Sequence, residues 1–311
     1  MKLLFIVDPL ATLKAYKDSS VAMMRAAQTR GHTVFAADTS DLLLRDGQAH
    51  AVCVALEVRS SDDWYSAAAP ATFALSDFDA VLMRTDPPVD TNYLLATQIL
   101  EVAVAEGVRV LNRPSALRDF NEKLAILNFP QFIAPTLVSA KRKEIAAFLD
   151  AHADIIVKPL TEMGGSGIFR LTGNDPNRNA ILETLTQHGQ RPIMAQRYLP
   201  EIAQGDKRIL IIDGEVLPWA LARIPLPGET RGNLAAGGTG HAQPLSVRDR
   251  NIAEAIAPWA KAHGIFLAGL DVIGDCLTEV NVTSPTGFQE ITAQTGLDVA
   301  AQFIIALERA A

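Results

Sequence analysis

The chain has 311 residues, of which 49% are hydrophobic and 20% are charged, and its formal net charge is −7. This composition is typical of a globular protein with a sizeable core, which excludes a disordered chain, and the length predicts two or three lobes. The acidic balance excludes the broad basic surface that nucleic-acid binding requires, so a local cluster of Lys, Arg and backbone N–H groups must hold any anionic ligand.

The two cysteines, Cys53 and Cys276, lie far apart and form no C-x-x-C spacing, so we expect neither a disulfide framework nor a zinc site. Free thiols are typical of the reducing cytoplasm. Asp8 and Pro9 interrupt the first apolar run, which favours a buried strand over a signal segment. No run of about 20 apolar residues is present to span a membrane. These features predict a cytoplasmic protein with no membrane or nucleic-acid partner.

The first 120 residues alternate between predicted strands and predicted helices. Apolar runs predict strands at Leu3–Val7, Val34–Ala37, Ala80–Met83 and Val108–Leu111, and helical spacing predicts helices at Ser19–Arg30 and Asn92–Glu106. The alternation predicts an open parallel α/β sheet. In such sheets ligands bind outside the carboxyl ends of the strands, where Asp8-Pro9 and Arg84–Pro88 lie.

Short strands and hairpins dominate the remainder of the chain. Predicted strands are Ile155–Lys158, Ile168–Leu171, Pro192–Tyr198, Arg208–Ile212, Val216–Leu221, Leu267–Ile273 and Leu277–Val282, with helices at Val247–His263 and Val299–Arg309. Asp213-Gly214 and Gly274-Asp275 are hairpin turn signals. A long glycine-rich loop, Pro225–Gly240, has the composition of a mobile lid, although a plain surface loop is the alternative.

The most informative segment contains three oxygen donors on the second predicted hairpin: Asp271, Glu279 and Asn281. Glu279 and Asn281 are two residues apart and share one face of a strand, which Asp271 can reach from the neighbouring strand. Three hard oxygen ligands without thiol or imidazole suit Mg²⁺. The alternative is an amphipathic hairpin with solvated acids, but the apolar flanks indicate buried acids that need a cation.

Basic and glycine-rich features complete the candidate site. Gly164–Gly167 can bring backbone N–H groups close to phosphate oxygens, although by itself it could be a plain turn. Lys158 ends an apolar strand, where a cation needs an anion. A strand-to-loop backbone at Gln196–Leu199 can contact an adenine edge, and Asp206 can hold ribose hydroxyls. Arginines near strand ends and in the lid can pair with substrate carboxylates. They are Arg84, Arg208, Arg223 and Arg231.

Collinear segments over nearly the whole chain resemble the ATP-grasp superfamily, and more closely the prokaryotic glutathione synthetase family. They are Lys17–Ser20, Val81–Tyr93, Asn112–Leu124, Val157–Arg170, Met194–Pro200, Gly205–Glu215, Leu221–Gly238 and Gly269–Gly287. The resemblance implies an N-terminal α/β substrate-binding domain at 1–120 and two α+β lobes, 121–200 and 201–311, that clasp ATP. It also implies ligation of γ-glutamylcysteine with glycine through an acyl phosphate, and a homo-oligomer, expected to be a tetramer.

The resemblance also implies a role for each matching residue. ATP would be bound by Lys123, Lys158, Gly164, Gly165, Ser166, Gly167, Gln196, Tyr198, Leu199 and Asp206. Mg²⁺ or Mn²⁺ would be held by Asp271, Glu279 and Asn281. The acyl phosphate and substrate carboxylates would meet Arg208, Arg223 and Arg231. Substrates would be seated by Asp18, Ser19, Ser20, Arg84, Asn233, Ser284, Pro285 and Thr286.

Two positions depart from the family pattern: Gln289 stands where an arginine is expected, and Thr239 stands where a second basic lid residue is common. Both remove positive charge near the expected site, so a related ligase with another amine acceptor stays open. A nucleotide-binding regulator without turnover is a second alternative. The three oxygen ligands and both lysines argue against it, because a protein that only binds a nucleotide need not retain them. A dinucleotide-dependent dehydrogenase is disfavoured, because Asp8-Pro9-Leu10 replaces a glycine fingerprint after the first strand.

Overall fold

The computed structural model describes residues 1–61, 63–229, 231–232 and 237–310, and its strands form three sheets. The first sheet contains β1 (Lys2–Ile6), β2 (Thr33–Ala37), β3 (Leu42–Arg45), β4 (Gln48–Val58), β5 (Tyr65–Ala67), β6 (Ala71–Ala74), β7 (Ala80–Met83) and β8 (Val110–Leu111). Its helices are α1 (Ser19–Thr29), α2 (Thr91–Ala105) and α3 (Pro114–Asp119). The main strand order is β3-β4-β2-β1-β7-β8.

Four neighbouring strands of this sheet, β2, β1, β7 and β8, are parallel, which confirms the predicted α/β sheet. Their apolar runs are continuous because both faces are covered; Leu3–Ile6 is fully buried. The antiparallel strands β3 to β6 extend the sheet and were not predicted. In β4 buried and partly exposed residues alternate, and its small alanines weaken that periodic signal.

The second sheet is antiparallel with the order β11-β10-β12-β9. It comprises β9 (Thr136–Ser139), β10 (Asp154–Pro159), β11 (Phe169–Thr172) and β12 (Ile193–Arg197), together with α4 (Arg142–His152) and α5 (Arg178–Leu185). Residues of both helices, such as Ile145, Leu149 and Leu182, share a small core with Ile155 and Leu171 of the strands. The helices therefore cover one face of this sheet.

The third sheet is also antiparallel, with the order β15-β14-β13-β16-β17. It comprises β13 (Asp206–Ile212), β14 (Glu215–Ile224), β15 (Thr239–Pro244), β16 (Leu267–Ile273) and β17 (Cys276–Asn281), with α6 (Val247–Ala262), α7 (Phe288–Thr295) and α8 (Val299–Arg309). Both predicted hairpins are present, as β13–β14 and β16–β17. The predicted loop Pro225–Gly240 ends earlier than expected, because β15 begins at Thr239 and pairs with β14.

Helix α6 covers one side of the third sheet, where Ile252 and Ile256 join the same core as Ile209 and Ile211. That core also contains residues of the first sheet, so the N-terminal and C-terminal parts share packing. Among the helices of the described residues, none is long and apolar enough to cross a membrane.

The buried Asn112, which follows β8, ties the first sheet to the third. Its side-chain amide donates to the carbonyls of Leu267 (2.8 Å) and Val282 (2.7 Å), and its oxygen accepts from the N–H groups of Phe266 (2.7 Å) and Leu267 (2.8 Å). One side chain therefore satisfies four buried backbone groups, which cannot find water instead.

We expect Asn112→Ala to lower the free energy of unfolding by about 3–5 kcal/mol, because it leaves buried donors and acceptors unpaired. Urea denaturation measures the change. Asn128→Ala is the matched control, since Asn128 is exposed and makes a single local hydrogen bond to Ala125. Equal, small losses in the two variants would contradict the role of Asn112.

Candidate active site

A cleft lies between the second and third sheets and has a volume of about 900 Å³ when its open mouth is included. Strand β10 contributes Ile156 and Lys158, and the end of β12 contributes Gln196. From the other side come Asp206, which begins β13, and Glu279 of β17. Nine of the ten predicted ATP-binding residues line this cleft, and Gly167 is the exception. Arg231 lines it as well. The fold thus brings together a set that is scattered in sequence.

The glycine segment after β10 has a backbone that favours glycine. Gly164, Gly165 and Gly167 have φ angles of 62°, 85° and 68°, in the left-handed region. At Gly167 a Cβ atom would lie 2.7 Å from Cγ of Pro159. Gly167 therefore serves the close packing of the loop onto β10, while Gly164 and Gly165 border the cleft.

Two buried lysines enter the cleft. Lys158 Nζ donates to the carbonyl of Thr278 (3.1 Å), and burial lowers the pKa of this lysine. Lys123 Nζ donates to the carbonyl of Glu162 (2.6 Å) and pairs with Glu279 Oε1 (2.8 Å). Burial by itself would lower the pKa of Lys123, but the nearby carboxylate of Glu279 has the opposite effect, and the pKa of this lysine is raised. Two buried cations beside glycine-rich backbone make this cleft suited to an anion.

Two arginines and two aspartates form a buried network, of which Asp206 lines the cleft. Arg208 Nε lies 2.6 Å from Asp271 Oδ1, and Arg223 Nη2 lies 2.9 Å from Asp271 Oδ2 and 2.6 Å from Asp206 Oδ2. Burial would raise the pKa of Asp271, but the two arginines hold it well below its usual range. Burial raises the pKa of Asp206 to about 6 against the opposing effect of Arg223. Asp206 Oδ1 is buried and has no hydrogen-bond partner among the described residues.

The predicted metal ligands lie close together on the β16–β17 hairpin. Asp271 and Glu279 are directly opposite in the strand register, and Asn281 lies two residues beyond Glu279. Asn281 donates its Nδ2 to the carbonyl of Gly269 (3.0 Å), which leaves its side-chain oxygen for a cation. Within the described part of the chain no group of three His, Cys, Asp or Glu side chains could hold a metal ion, and Asp271 and Glu279 each pair with basic groups. The oxygen donors fit a hard divalent ion that takes further ligands from phosphates, and the metal site stays a prediction.

A second, larger cavity adjoins the cleft, with Gly164 and Glu279 bordering both, and has a volume of about 1740 Å³ including its mouth. Of the predicted substrate and catalytic residues, its lining includes Asp18, Arg208, Arg223, Ser284, Pro285 and Thr286. Asp18 is also the N-cap of α1, where its Oδ1 accepts from the N–H of Val21 (2.9 Å). Basic and acidic side chains therefore line the same space, as a zwitterionic ligand requires.

Three predicted substrate residues support the wall of this cavity and are not part of its lining. The buried Arg84 donates from Nε to Ser20 Oγ (3.1 Å) and from Nη2 to the carbonyl of Pro285 (3.0 Å). Ser19 Oγ accepts from the N–H of Phe288 (3.3 Å). Arg84 Nη1 is buried and has no partner among the described residues. The predicted Asn233 lies outside the described residues.

Several acidic residues of the cavity were given no individual role from the sequence, although Asp8 and Asp86 were placed at the strand ends where ligands bind. Asp8 and Asp86 follow the parallel neighbours β1 and β7, and the N–H of Asp86 donates to Asp8 Oδ2 (3.0 Å). The signal was available, because carboxyl ends of adjacent parallel strands meet at one edge. Glu122, next to Lys123, was also missed; its Oε1 accepts from the N–H groups of Val282 (2.8 Å) and Thr283 (3.0 Å).

The two departures from the family pattern have different positions. Gln289 lies on α7 outside the cavity lining and donates from Nε2 to the carbonyls of Ala15 (3.0 Å) and Asp18 (2.6 Å). It therefore supports the loop that carries Asp18. Thr239 begins β15, is exposed and pairs with Ile224. It lines neither the cleft nor the cavity.

Comparison with known families accounts for nearly the whole chain. Residues 1–118 match the prokaryotic glutathione synthetase N-terminal domain, and residues 122–296 match the prokaryotic glutathione synthetase ATP-grasp domain. The chain belongs to the prokaryotic glutathione synthetase family. Family membership confirms the predicted ATP-grasp architecture and the predicted ATP-dependent ligase that makes glutathione.

Relatives of this family are similar over their full length. A glutathione synthetase of Neisseria meningitidis is 59% identical over 308 residues, which are 97% of each chain. One of Bordetella pertussis is 55% identical over 317 aligned positions covering both chains completely, and one of Vibrio parahaemolyticus is 49% identical over 310, 99% of this chain and 98% of the relative. The resemblance stated from sequence motifs is therefore confirmed.

Solved structures with similar folds include D-cycloserine synthetase DcsG, with a TM-score of 0.66 and 17% identity over 99% of both chains. Another is a RimK domain ATP-grasp protein of Sphaerobacter thermophilus, with a TM-score of 0.65 and 16% identity over 98% of this chain and 99% of that one. At this identity the likeness concerns the fold alone.

Proposed function

We propose that the cleft binds ATP and the adjoining cavity binds γ-glutamylcysteine and glycine, so that glutathione forms where the two meet. The observation that carries this assignment is the shared border at Gly164 and Glu279, which gives a transferred phosphoryl group a short path to a carboxylate in the cavity. The assignment of each residue is our proposal.

In the cleft, Lys123 and Lys158 would meet phosphate oxygens under the glycine segment, since buried cations favour an anionic partner. Gln196, Tyr198 and Leu199 would border the adenine, and the free Oδ1 of Asp206 would accept a hydrogen bond from a ribose hydroxyl. Gly165 and Ser166 would cover the phosphates, and Arg231, which donates to the carbonyl of Gly165 (3.5 Å), would hold that cover in place.

Asp271, Glu279 and Asn281 would hold Mg²⁺, or Mn²⁺, between the protein and the phosphates. When bound, the metal neutralises phosphate charge. Lys123 and the arginines now paired with these carboxylates would pair with anionic groups of the reactants. Three oxygen donors without a soft ligand support this assignment.

In the cavity, Arg208 and Arg223 would neutralise the acyl phosphate as the cysteinyl carboxylate attacks the γ-phosphorus and ADP leaves. The amine of glycine then attacks the acyl carbon and phosphate departs. Asp18, Ser284, Pro285 and Thr286 would orient the substrates, with Arg84, Ser19 and Ser20 fixing the wall behind them. The protein must also exclude water, which would hydrolyse the acyl phosphate.

We further propose that the protein is a homotetramer in the cytoplasm. Each chain would comprise three domains, 1–120, 121–200 and 201–311. Two unpaired cysteines are compatible with a reducing compartment. The succession of three sheets supports the domain division.

ADP release from ATP and Mg²⁺ tests the function, with γ-glutamylcysteine and glycine supplied together and each omitted in turn. We expect release to need both substrates and glutathione to appear in step. Release with another amine but not with glycine would reassign the acceptor, and binding of ATP without release would favour the regulator.

The raised pKa of Asp206 predicts a pH-dependent affinity for the nucleoside. If only the carboxylate accepts a ribose hydroxyl, a pKa of about 6 leaves roughly one-tenth of the protein competent at pH 5. We expect the Kd for adenosine to rise about ten-fold between pH 7.5 and pH 5. Adenosine is the probe because it has no titratable phosphate.

The control for this measurement is Asp206→Asn, which has no carboxyl to titrate and should bind adenosine with a nearly constant Kd over the same range. A wild-type Kd that does not change with pH would contradict the assignment of Asp206.

A further inference from the structure

Arg170 lies beside the cleft without being part of its lining, and its guanidinium contacts the ring of Tyr198, which is part of that lining. It belongs to the edge strand β11, directly after the glycine segment, and its side chain is 40% exposed. Its guanidinium carbon lies 3.8 Å from the centroid of the Tyr198 ring. Tyr198 lines the cleft.

The register of the second sheet places Arg170 on the cleft side. Arg170 is opposite Ile156, and Ile156 is opposite Gln196 on the next strand. Opposite residues in a register project to the same face, and both Ile156 and Gln196 line the cleft. Arg170 therefore ends this row at the open edge of the sheet, where the guanidinium turns over Tyr198.

Asp154 holds the guanidinium in place. Arg170 Nε lies 3.0 Å from Asp154 Oδ1 and Nη2 lies 2.6 Å from Asp154 Oδ2, a two-point contact that fixes the plane of the guanidinium. The backbone carbonyl of the same Asp154 accepts from the N–H of Tyr198 (3.0 Å). Asp154 thus anchors both the backbone of Tyr198 and the group that stacks on its ring.

We propose that Asp154 and Arg170 form a positioning clamp that holds the Tyr198 ring against the adenine of a nucleotide in the cleft. The clamp rests on the proposed function, since it requires a nucleotide in the cleft. Because the strand that carries Arg170 follows the glycine segment, the clamp joins the base-binding side of the cleft to the phosphate cover. Neither residue touches the reacting atoms, so the clamp acts on nucleotide affinity and not on the chemical step.

Calorimetric titration with ADP and Mg²⁺ tests this proposal. We expect Arg170→Met to raise the Kd for ADP about three- to ten-fold, because the methionine keeps apolar contact but loses the stacked, anchored plane. The KM for ATP should rise by a similar factor with kcat nearly unchanged. Arg178→Met, at the start of α5 beside the same sheet, is the matched control and should leave Kd at the wild-type value, because Arg178 does not line the cleft.

A double-mutant cycle separates positioning from a structural role. Asp154→Asn should raise the Kd for ADP by a similar factor, and adding it to Arg170→Met should produce little further increase, because both changes release the same ring. A melting temperature close to that of the wild type should accompany the weaker binding.

A wild-type Kd in Arg170→Met, or a fall in kcat without a change in KM for ATP, would overturn the clamp. Additive effects of the two substitutions would also overturn it. If the wild-type protein itself failed to bind ADP, the assignment of the cleft would fall, which is a result distinct from equal binding by wild type and variant.

Discussion

Asp271→Asn is expected to lower the free energy of unfolding by about 3–5 kcal/mol and to reduce ligation at least about a hundred-fold. Asp271 is 2% exposed and neutralises both Arg208 and Arg223. Asparagine keeps the shape but removes the charge, so two buried guanidinium groups are left with one carboxylate, that of Asp206. The loss of stability follows from uncompensated buried charge, and the loss of activity from removal of a proposed metal ligand.

Urea denaturation and ADP release with both substrates measure the two effects of this substitution. The matched control is Asp213→Asn, which changes an aspartate of the same sheet that pairs with the exposed Lys261. Asp213 has a positive φ of 49°, which asparagine tolerates, and the exposed pair contributes less than about 1 kcal/mol. If Asp271→Asn were as stable and active as this control, the buried network would have neither of the roles assigned to it.

Lys158→Met is expected to weaken ATP binding without lowering the free energy of unfolding, whereas Asp271→Asn should lower both stability and activity. Lys158 is 6% exposed, and its ammonium donates to a carbonyl, that of Thr278. Because burial of a charge is unfavourable, a methionine of similar length should leave the free energy of unfolding equal or higher. The Kd for ATP should nevertheless rise about 10- to 100-fold, since a charge-assisted contact with phosphate is lost.

Calorimetric titration with ATP and urea denaturation of the same preparation test this separation. Lys143→Met, on the exposed face of α4 in the same lobe, should change neither quantity. Wild-type affinity in Lys158→Met would remove this lysine from the nucleotide site. A large loss of stability would instead show that Lys158 holds the β10–β17 contact together.

Much of the candidate site could be predicted because its residues lie in local patterns. Gly164–Gly167 follows an apolar strand, and Glu279 and Asn281 are separated by two residues on one strand. Such spacing determines which side chains share a face, independently of the remainder of the chain. The structure accordingly brings nearly all of the predicted ATP-binding residues into one cleft.

The pattern failed where the signal depends on distant partners. Strands β3 to β6 pair antiparallel at the edge of the first sheet. Buried positions of β4 include Ala49, Ala51 and Cys53, whose small side chains give only a weak alternating signal. The contacts of Arg84 with Ser20 and Pro285 likewise join distant parts of the chain, so no local pattern indicates them. The same holds for Gln289, whose contacts are with backbone carbonyls, and the roles expected for both residues stay predictions.

Local patterns predict the alternating α/β half, the two hairpins, the glycine segment and the oxygen donors, since each depends on residues that are near one another in the chain. The pairing of the charges depends instead on tertiary packing. Arg208 meets Asp271 from 63 positions away, and Lys123 meets Glu279 across two lobes. Spacing along a strand sets the face on which a side chain lies, but packing between sheets sets the partner that neutralises it, and burial then makes that partner indispensable.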